Sequence, residues 1–477
     1  MSHFKRLTGS LTLLLLGVYL SQMLAVAQTL PSKTYLPAIF VSYAPTVFAV
    51  ETTIPGIIDS QVTAQAKILG ADWLRLNGVL WSAVEPVRGT YNWAVLSQLD
   101  SALEHAKTAG LTPTVIIRGT PLWASASVDN LGRPSGCAAI QDVYVPDYAR
   151  FLAALAQRYK GQVTYWELGN EPDVDSRLLN TDDPFGCWGN IDDPFYGGER
   201  YGRMLRAVVP AMRAVNPYVQ IIVGGLLLDS PHSSNLDLGY PELFLEGVLK
   251  SKAADFFDIL AYHAYPSYLG VSYDHDLDLL AGGKWNSLGG WTLGKASYLR
   301  GIMTRYGVSK PLWLNESGLL CSPNDPTCGS PPAAFFDAQA DHLVRIMSRA
   351  AAGGIQQVSW YTLDGPGWRS AGLLDENQLP RPSFIAYQEM IKAVGKYTAV
   401  KSVNYGANIE AYRFSRRDGA VADVLWSRNG VSTPVSVPTV AFQSAIVRDK
   451  TNPVLSQDAA NVSIAVGFRA VFIVRMP

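Results

Sequence analysis

The sequence predicts a (β/α)8 barrel, the TIM-barrel fold class of α/β proteins, followed by a small C-terminal antiparallel β-sandwich. Three observations carry this. Eight short apolar runs alternate with longer amphipathic ones between residues 45 and 396. Beyond residue 396 the helical period disappears and alternating, turn-rich segments take over. No Gly-rich phosphate turn follows the first run, which argues against the open doubly wound sheet that the same alternation permits.

The apolar runs are TVFAV (46–50), WLRLN (73–77), TPTVIIR (112–118), VTYWELG (163–169), VQIIVGG (219–225), FFDILAYH (256–263), PLWLNE (311–316) and QQVSWYT (356–362). Each is rich in Val, Ile, Leu or aromatic residues, as expected of strands covered on both faces. Helical spacing separates them. Leu96, Leu99, Leu103 and Ala106 recur at three- and four-residue steps before Gly110. Phe151, Leu152 and Leu155 repeat the pattern before Gly161, and Leu299, Ile302, Met303 and Tyr306 before Gly307. Phe336, Ala340, Leu343 and Met347 precede the eighth run. In the tail, 397–477, Asp418-Gly419 and Asn429-Gly430 sit where hairpin turns belong.

The first 27 residues read as a signal peptide. Lys5 and Arg6 form a positive start, residues 11–20 an apolar stretch, and Ala25-Val26-Ala27 a small-x-small cleavage site before Gln28. An uncleaved anchor is the alternative, but the apolar run is short for a membrane span. Residues 28–44 form a Pro-containing lead-in. The expectation is a secreted or cell-envelope protein, free of the membrane after cleavage and monomeric. Cys137, Cys187, Cys321 and Cys328 all lie beyond the signal. Four cysteines in an exported chain allow three pairings; the short CSPNDPTC loop favours Cys321–Cys328, and hence Cys137–Cys187. Zinc would want tighter spacing and nearby His, so no metal and no cofactor are expected.

Charge narrows the partners. Lys and Arg total 39 against 40 Asp and Glu, a balance that argues against a nucleic-acid partner. Charged residues make up 17%, while 12 Trp and 23 Tyr bring the aromatic share to 11%. That fills a large core, and Trp is also a face on which sugars stack.

Working residues of such a barrel lie at the C-terminal ends of its strands. The fourth strand ends in Asn170-Glu171-Pro172 and the seventh in Asn315-Glu316-Ser317. The sixth carries His263 and Tyr265, the eighth Trp360, the second Arg75, and the third leads to Trp123. Two carboxyls on opposite walls can flank one glycosidic oxygen. One is then protonated and donates to the leaving group, while the other is charged and attacks the anomeric carbon.

WELGNEPD (166–173) resembles the acid/base motif of clan A glycoside hydrolases, the "4/7 superfamily", and LWLNESG (312–318) resembles its nucleophile strand. VLWSAVEPVRGTYNW (79–93), RGTPLWAS (118–125) and AYHAYP (261–266) extend the likeness along the barrel. With the C-terminal sandwich, the pattern is most similar to glycoside hydrolase family 39 and its relatives. The resemblance implies a retaining O-glycosidase with Glu171 as acid/base and Glu316 as nucleophile. It also implies that Asn170 holds the sugar 2-hydroxyl, Tyr265 bonds Glu316 and Trp360 floors the subsite. His263 and Arg75 match supporting polar positions; for His263, a hydrogen-bonded core histidine is the alternative. Trp81, Trp123 and Trp368 are sugar platforms or packing residues. The Asp-rich stretch 178–200, with DDPF at 182–185 and 192–195, reads as a lid, a calcium loop or a solvated loop pinned by Cys187. A carbohydrate-binding scaffold without catalysis and a transglycosylase stay open beside the hydrolase.

Overall fold

The computed structural model describes residues 46–477, apart from 127, 129, 130, 133–135, 137, 138, 180–185, 187, 232–240, 281, 322–325 and 448–453. The signal and lead-in, the Cys137–Cys187 pairing and the first DDPF copy lie outside the described residues.

The eight predicted runs form eight parallel strands: β1 (Phe48–Thr52), β2 (Trp73–Leu80), β3 (Thr112–Arg118), β4 (Tyr165–Leu168), β5 (Gln220–Leu226), β6 (Ile259–Ala264), β7 (Leu312–Ser317) and β8 (Gln357–Trp360). They pair in sequence order, and β1 closes the barrel on β8. Around it run α1 (Ser60–Leu69), α2 (Ser97–Ala109), α3 (Val145–Arg158), α4 (Gly198–Val215), α5 (Phe244–Lys250), α6 (Gly290–Arg305), α7 (Ala333–Ala352) and α8 (Pro382–Val394). α2 shows why the pattern is helical. Leu99, Ala102, Leu103 and Ala106 make one buried face, and Gly110 ends the helix at φ 80°, a left-handed turn that glycine adopts without a Cβ penalty.

The strands' inward residues divide the barrel in two. Toward the N-terminal end, Trp73 and Trp313 stand 5.2 Å apart with Tyr165 against both, and they plug the interior with apolar surface. Toward the C-terminal end the inward positions turn polar. The sequence's Trp excess is thus partly a barrel filling.

The tail forms β9 (Tyr397–Ser402), β10 (Ile409–Arg416), β11 (Val421–Ser427), β12 (Thr433–Pro438), β13 (Phe442–Val447), β14 (Val454–Gln457), β15 (Asn461–Val466) and β16 (Val471–Arg475). The larger sheet has the order β13-β16-β11-β10-β9 and the smaller β12-β15-β14. Asp418-Gly419 does turn a hairpin, β10 to β11. Asn429-Gly430 does not: β11 and β12 lie in different sheets, so this turn carries the chain across the sandwich. Leu425, Val435, Ile464 and Ile473 fill the space between the sheets. The other face of the larger sheet, with Phe414, Val424, Trp426 and Phe472, joins the barrel's outer core.

α7 is caught between the two layers, which explains its burial on nearly every side. Arg349 on α7 clamps them. It donates to Asp274 and Asp276 from the β6–α6 connection at 2.7–3.0 Å and to Glu410 of β10 at 2.9 Å. Cys321 and Cys328 form a disulfide. Among the described residues no helix is long and apolar enough to cross a membrane.

Removing the Arg349 guanidinium strands two buried carboxylates, Asp274 and Asp276, and loosens the half-buried Glu410. Arg349→Met is expected to lower the unfolding free energy by about 3–5 kcal/mol, read from urea denaturation at neutral pH.

Candidate active site

Six of the eight strands send a polar side chain toward the barrel's C-terminal mouth (Glu51, Arg75, Arg118, Glu167, His263 and Glu316), and Arg75 of β2 holds the centre. Its guanidinium is fully buried and donates to Glu167 of β4 (2.8 and 3.0 Å), to Glu51 of β1, to Glu316 of β7 (2.8 Å) and to the side-chain oxygen of Asn170 (2.6 Å). A guanidinium can only donate, so the Asn170 carbonyl must face it, and the Asn170 NH2 is left as a donor on the cleft side. Arg75 itself sits beneath the cleft and positions other groups.

One cation among three carboxylates leaves net negative charge in a dry place, and the carboxyls divide accordingly. Burial alone would raise the Glu316 pKa. The His263 and Arg75 charges and a 2.5 Å hydrogen bond from the Tyr265 hydroxyl outweigh it, so Glu316 lies below its ordinary value and stays anionic. Glu51 goes the other way. Burial outweighs the attraction of Arg75, repulsion by Glu316 and Glu167 adds to it, and its pKa is pushed up to about 8. The proton has a home: Glu51 meets the side-chain amide of Asn77, whose oxygen is otherwise unpartnered and which accepts from the Glu51 hydroxyl when the amide is turned.

Glu171 and Glu316 face each other across one imidazole. His263 Nδ1 lies 2.8 Å from Glu171, and Nε2 lies 3.4 Å from Glu316, too long for a good hydrogen bond. Burial would lower the His263 pKa, but Glu316 and Glu171 together raise it above the ordinary imidazole value. The ring fits because residue 225 is glycine: a Cβ there would stand 2.0 Å from His263 Nε2. Glu171 takes a left-handed φ of 49° and its N–H donates to Gly225 O (3.0 Å), so the turn after β4 is tied to β5. Both glutamates keep a small exposed surface, 13% and 14%, at the wall of a cleft of about 610 Å³.

The tryptophan expectations need correcting. Trp360 is 0% exposed and points away from the mouth; its indole N–H donates to Ala371 O (2.8 Å) and its ring meets His342 of α7. Successive strand residues face opposite ways, so the cleft receives its neighbour Tyr361 instead. Trp81 is 1% exposed, packed on Tyr148 and Phe151 of α3, with its N–H on Glu85 (2.7 Å). No sugar can reach it. Trp123 leans edge-on against Trp81 and Tyr144 and donates to Glu85 O, away from the cleft lining. Both belong to an aromatic cluster that fixes the β2 and β3 loops. Trp368, 48% exposed and edge-on to Tyr265, does line the cleft.

Sequence reasoning missed Glu51, Asn77, Arg118, Tyr361, Trp291 and Lys295, all of which line the cleft. Each strand-end position could have been read for inward parity, but Trp291 and Lys295 come from α6, and no local pattern marks them. Lys295 is buried with its ammonium on Leu227 O and His263 O (2.7 and 2.8 Å), and burial pushes its pKa down to about 8. In the Asp-rich stretch, Arg177 grips Asp175, Asn190 and Asp192. The described half of that loop is therefore an ion-pair network.

The folded protein binds the Glu51 proton more tightly than the unfolded chain does. The stability this contributes is complete below pH 4.5, the ordinary value, and is lost as pH rises through about 8. Glu51→Gln keeps the protonated shape at every pH. Urea melts should show wild type losing stability relative to this variant between about pH 5 and pH 8. A pH-independent difference would place Glu51 back in the ordinary carboxylate range.

No family model matches the sequence. Solved structures do match the fold. A family 39 glycoside hydrolase from Bacteroides cellulosilyticus aligns with TM-score 0.67 at 18% identity, covering 91% of this chain and 81% of that one. A family 39 β-xylosidase from Caulobacter crescentus gives 0.58 at 16%, covering 91% and 97%. A family 30 subfamily 8 xylanase from Clostridium acetobutylicum gives 0.58 at 13%, covering 92% and 98%. Across nearly its whole described length, the chain has the fold these glycoside hydrolases share.

Proposed function

We propose that the protein is an exported glycoside hydrolase that cleaves O-glycosidic bonds of polysaccharides or oligosaccharides with retention of anomeric configuration. The observation that carries this is the pair of carboxyls flanking His263: Glu316 held anionic by Arg75 and Tyr265, and Glu171 set against it at the same cleft. Retention is proposed from the likeness of the two glutamate strands to those of clan A glycoside hydrolases; a covalent route needs the carboxyls closer together than an inverting water does.

In the first half-reaction Glu171 gives its proton to the glycosidic oxygen as a Glu316 oxygen bonds to the anomeric carbon. The C–O bond to the leaving group breaks, and a glycosyl ester on Glu316 remains. In the second, Glu171 takes a proton from water, the resulting oxygen bonds to the anomeric carbon, and Glu316 leaves as carboxylate. The Asn170 NH2 donates to the sugar 2-hydroxyl, a contact that tightens as positive charge develops at the ring. Tyr361 and Trp368 offer aromatic surface to the sugar. All of these groups come from one chain, which fits action as a monomer. The Cys321–Cys328 bond fits an oxidising compartment outside the cytoplasm.

On an aryl β-glycoside that the protein turns over, Glu171→Ala is expected to lower kcat by about 10²–10⁴-fold. Glu316→Ala should lower it by at least as much. Azide should rescue Glu316→Ala with formation of an α-glycosyl azide and Glu171→Ala with a β-glycosyl azide. Exchanged products would reverse the roles. Proton NMR of the wild-type product reads retention directly, and tight sugar binding without turnover of any glycoside would favour a scaffold instead.

A further inference from the structure

Two buried arginines are richly paired, and a third, on a barrel strand, is not. Arg75 has three carboxylates and an amide, and Arg349 has three carboxylates. The third is Arg118, the last residue of β3. Its side chain is half-buried and lines the cleft, yet among the described residues it has neither a hydrogen bond nor an ion pair. Guanidinium is charged at any working pH and carries five donors in a planar fork. Holding that fork partly out of water without a partner costs free energy that a bound anion would recover.

The carboxyls nearest to it are committed elsewhere. Glu51 is bonded to Arg75 and Asn77, and Glu316 to Arg75 and Tyr265. Burial pulls the Arg118 pKa down and Arg75 adds to that, while Glu51, Glu316 and Tyr361 push the other way, so the guanidinium stands in the electrostatic neighbourhood of Glu316. A second cation supports the pattern. The Lys295 ammonium lines the same cleft on two backbone carbonyls and, among the described residues, forms no ion pair, although the charges of Asp229, Asp173 and Glu171 reach it. The acid that opens on the cleft beside Lys295, Asp229, is paired with Lys284.

We infer that Arg118 is a specificity residue that receives an oxyanion of the substrate, so that the glycan cleaved here carries acidic sugar units. A planar carboxylate, as on a uronic acid, matches the fork with two parallel N–H···O bonds; a sulfate ester presents the same oxyanion chemistry without the planar match. The inference rests on the glycoside hydrolase reading for the site in which the sugar lies, and its test separates the two.

Matched glycosides are compared: a neutral hexoside, the corresponding hexosiduronic acid, its methyl ester and a sulfated hexoside. The wild type should favour the acid over neutral sugar and ester by at least tenfold in kcat/KM. Preference for the sulfate over the carboxylate would identify an ester-sulfated glycan as the source of the oxyanion. Arg118→Met should collapse the acid-to-neutral ratio by tenfold or more, and Arg118→Lys, which keeps the charge and loses the fork, should give an intermediate ratio. Thermal melts establish that each variant is folded. Binding of the same sugars to Glu171→Gln, with and without Arg118→Met, is measured by calorimetry. Neutral glycosides cleaved with no acid preference in rate or binding would overturn the inference and leave the hydrolase standing. Arg118-dependent binding of acidic sugars with no cleavage of any glycoside would do the reverse.

Discussion

A single buried guanidinium organises the mouth of the barrel. Arg75 reaches β1, β4 and β7 at once, and the groups it holds are those that the proposed chemistry needs in fixed positions. Buried charge is tolerable only when paired, and pairing one cation with three anions overshoots. The excess is absorbed unequally. Glu316 has Tyr265 and His263 as further donors or charges and keeps its negative charge; Glu51, shut away beside Asn77, holds its proton more tightly. Preorganised polarity of this kind does its electrostatic work before any substrate arrives.

The second constraint is strand parity. Inward and outward faces alternate residue by residue, so a shift of one position moves an aromatic ring from the cleft to the helical layer. That shift separates Tyr361 from Trp360. Trp81 and Trp123 are kept from the sugar by a different cause: the loops after β2 and β3 fold onto α3, where their rings complete an aromatic cluster with Tyr148 and Phe151. Aromatic abundance in this chain is mostly packing, at the barrel's N-terminal plug and in that cluster.

The β-sandwich is joined to the barrel by buried surface and by charge. α7 lies beneath the larger sheet, and Arg349 carries three carboxylates from both layers. Burial on both faces also explains why β11 reads as a nearly continuous apolar run while the smaller sheet's strands alternate.

Much of the fold was legible because hydrophobic periodicity is a local property: eight apolar runs became eight strands, and the loss of helical period marked the sandwich. The strand-end glutamates, Asn170, His263, Tyr265 and Arg75 were legible because each sits in a motif with a fixed place on a barrel strand. Which groups share a proton, a cation or a cleft was not. The Glu51–Asn77 contact, the place of Arg118 at the cleft, the arrival of Lys295 and Trp291 from α6, and the routing of Asn429-Gly430 between sheets all join residues far apart in sequence or turn on the direction of a side chain. Sequence by itself determined the elements and their polar ends, since propensity and burial pattern act over a few residues. Tertiary structure alone decided charge states and cleft lining, because electrostatics and packing depend on distance in space.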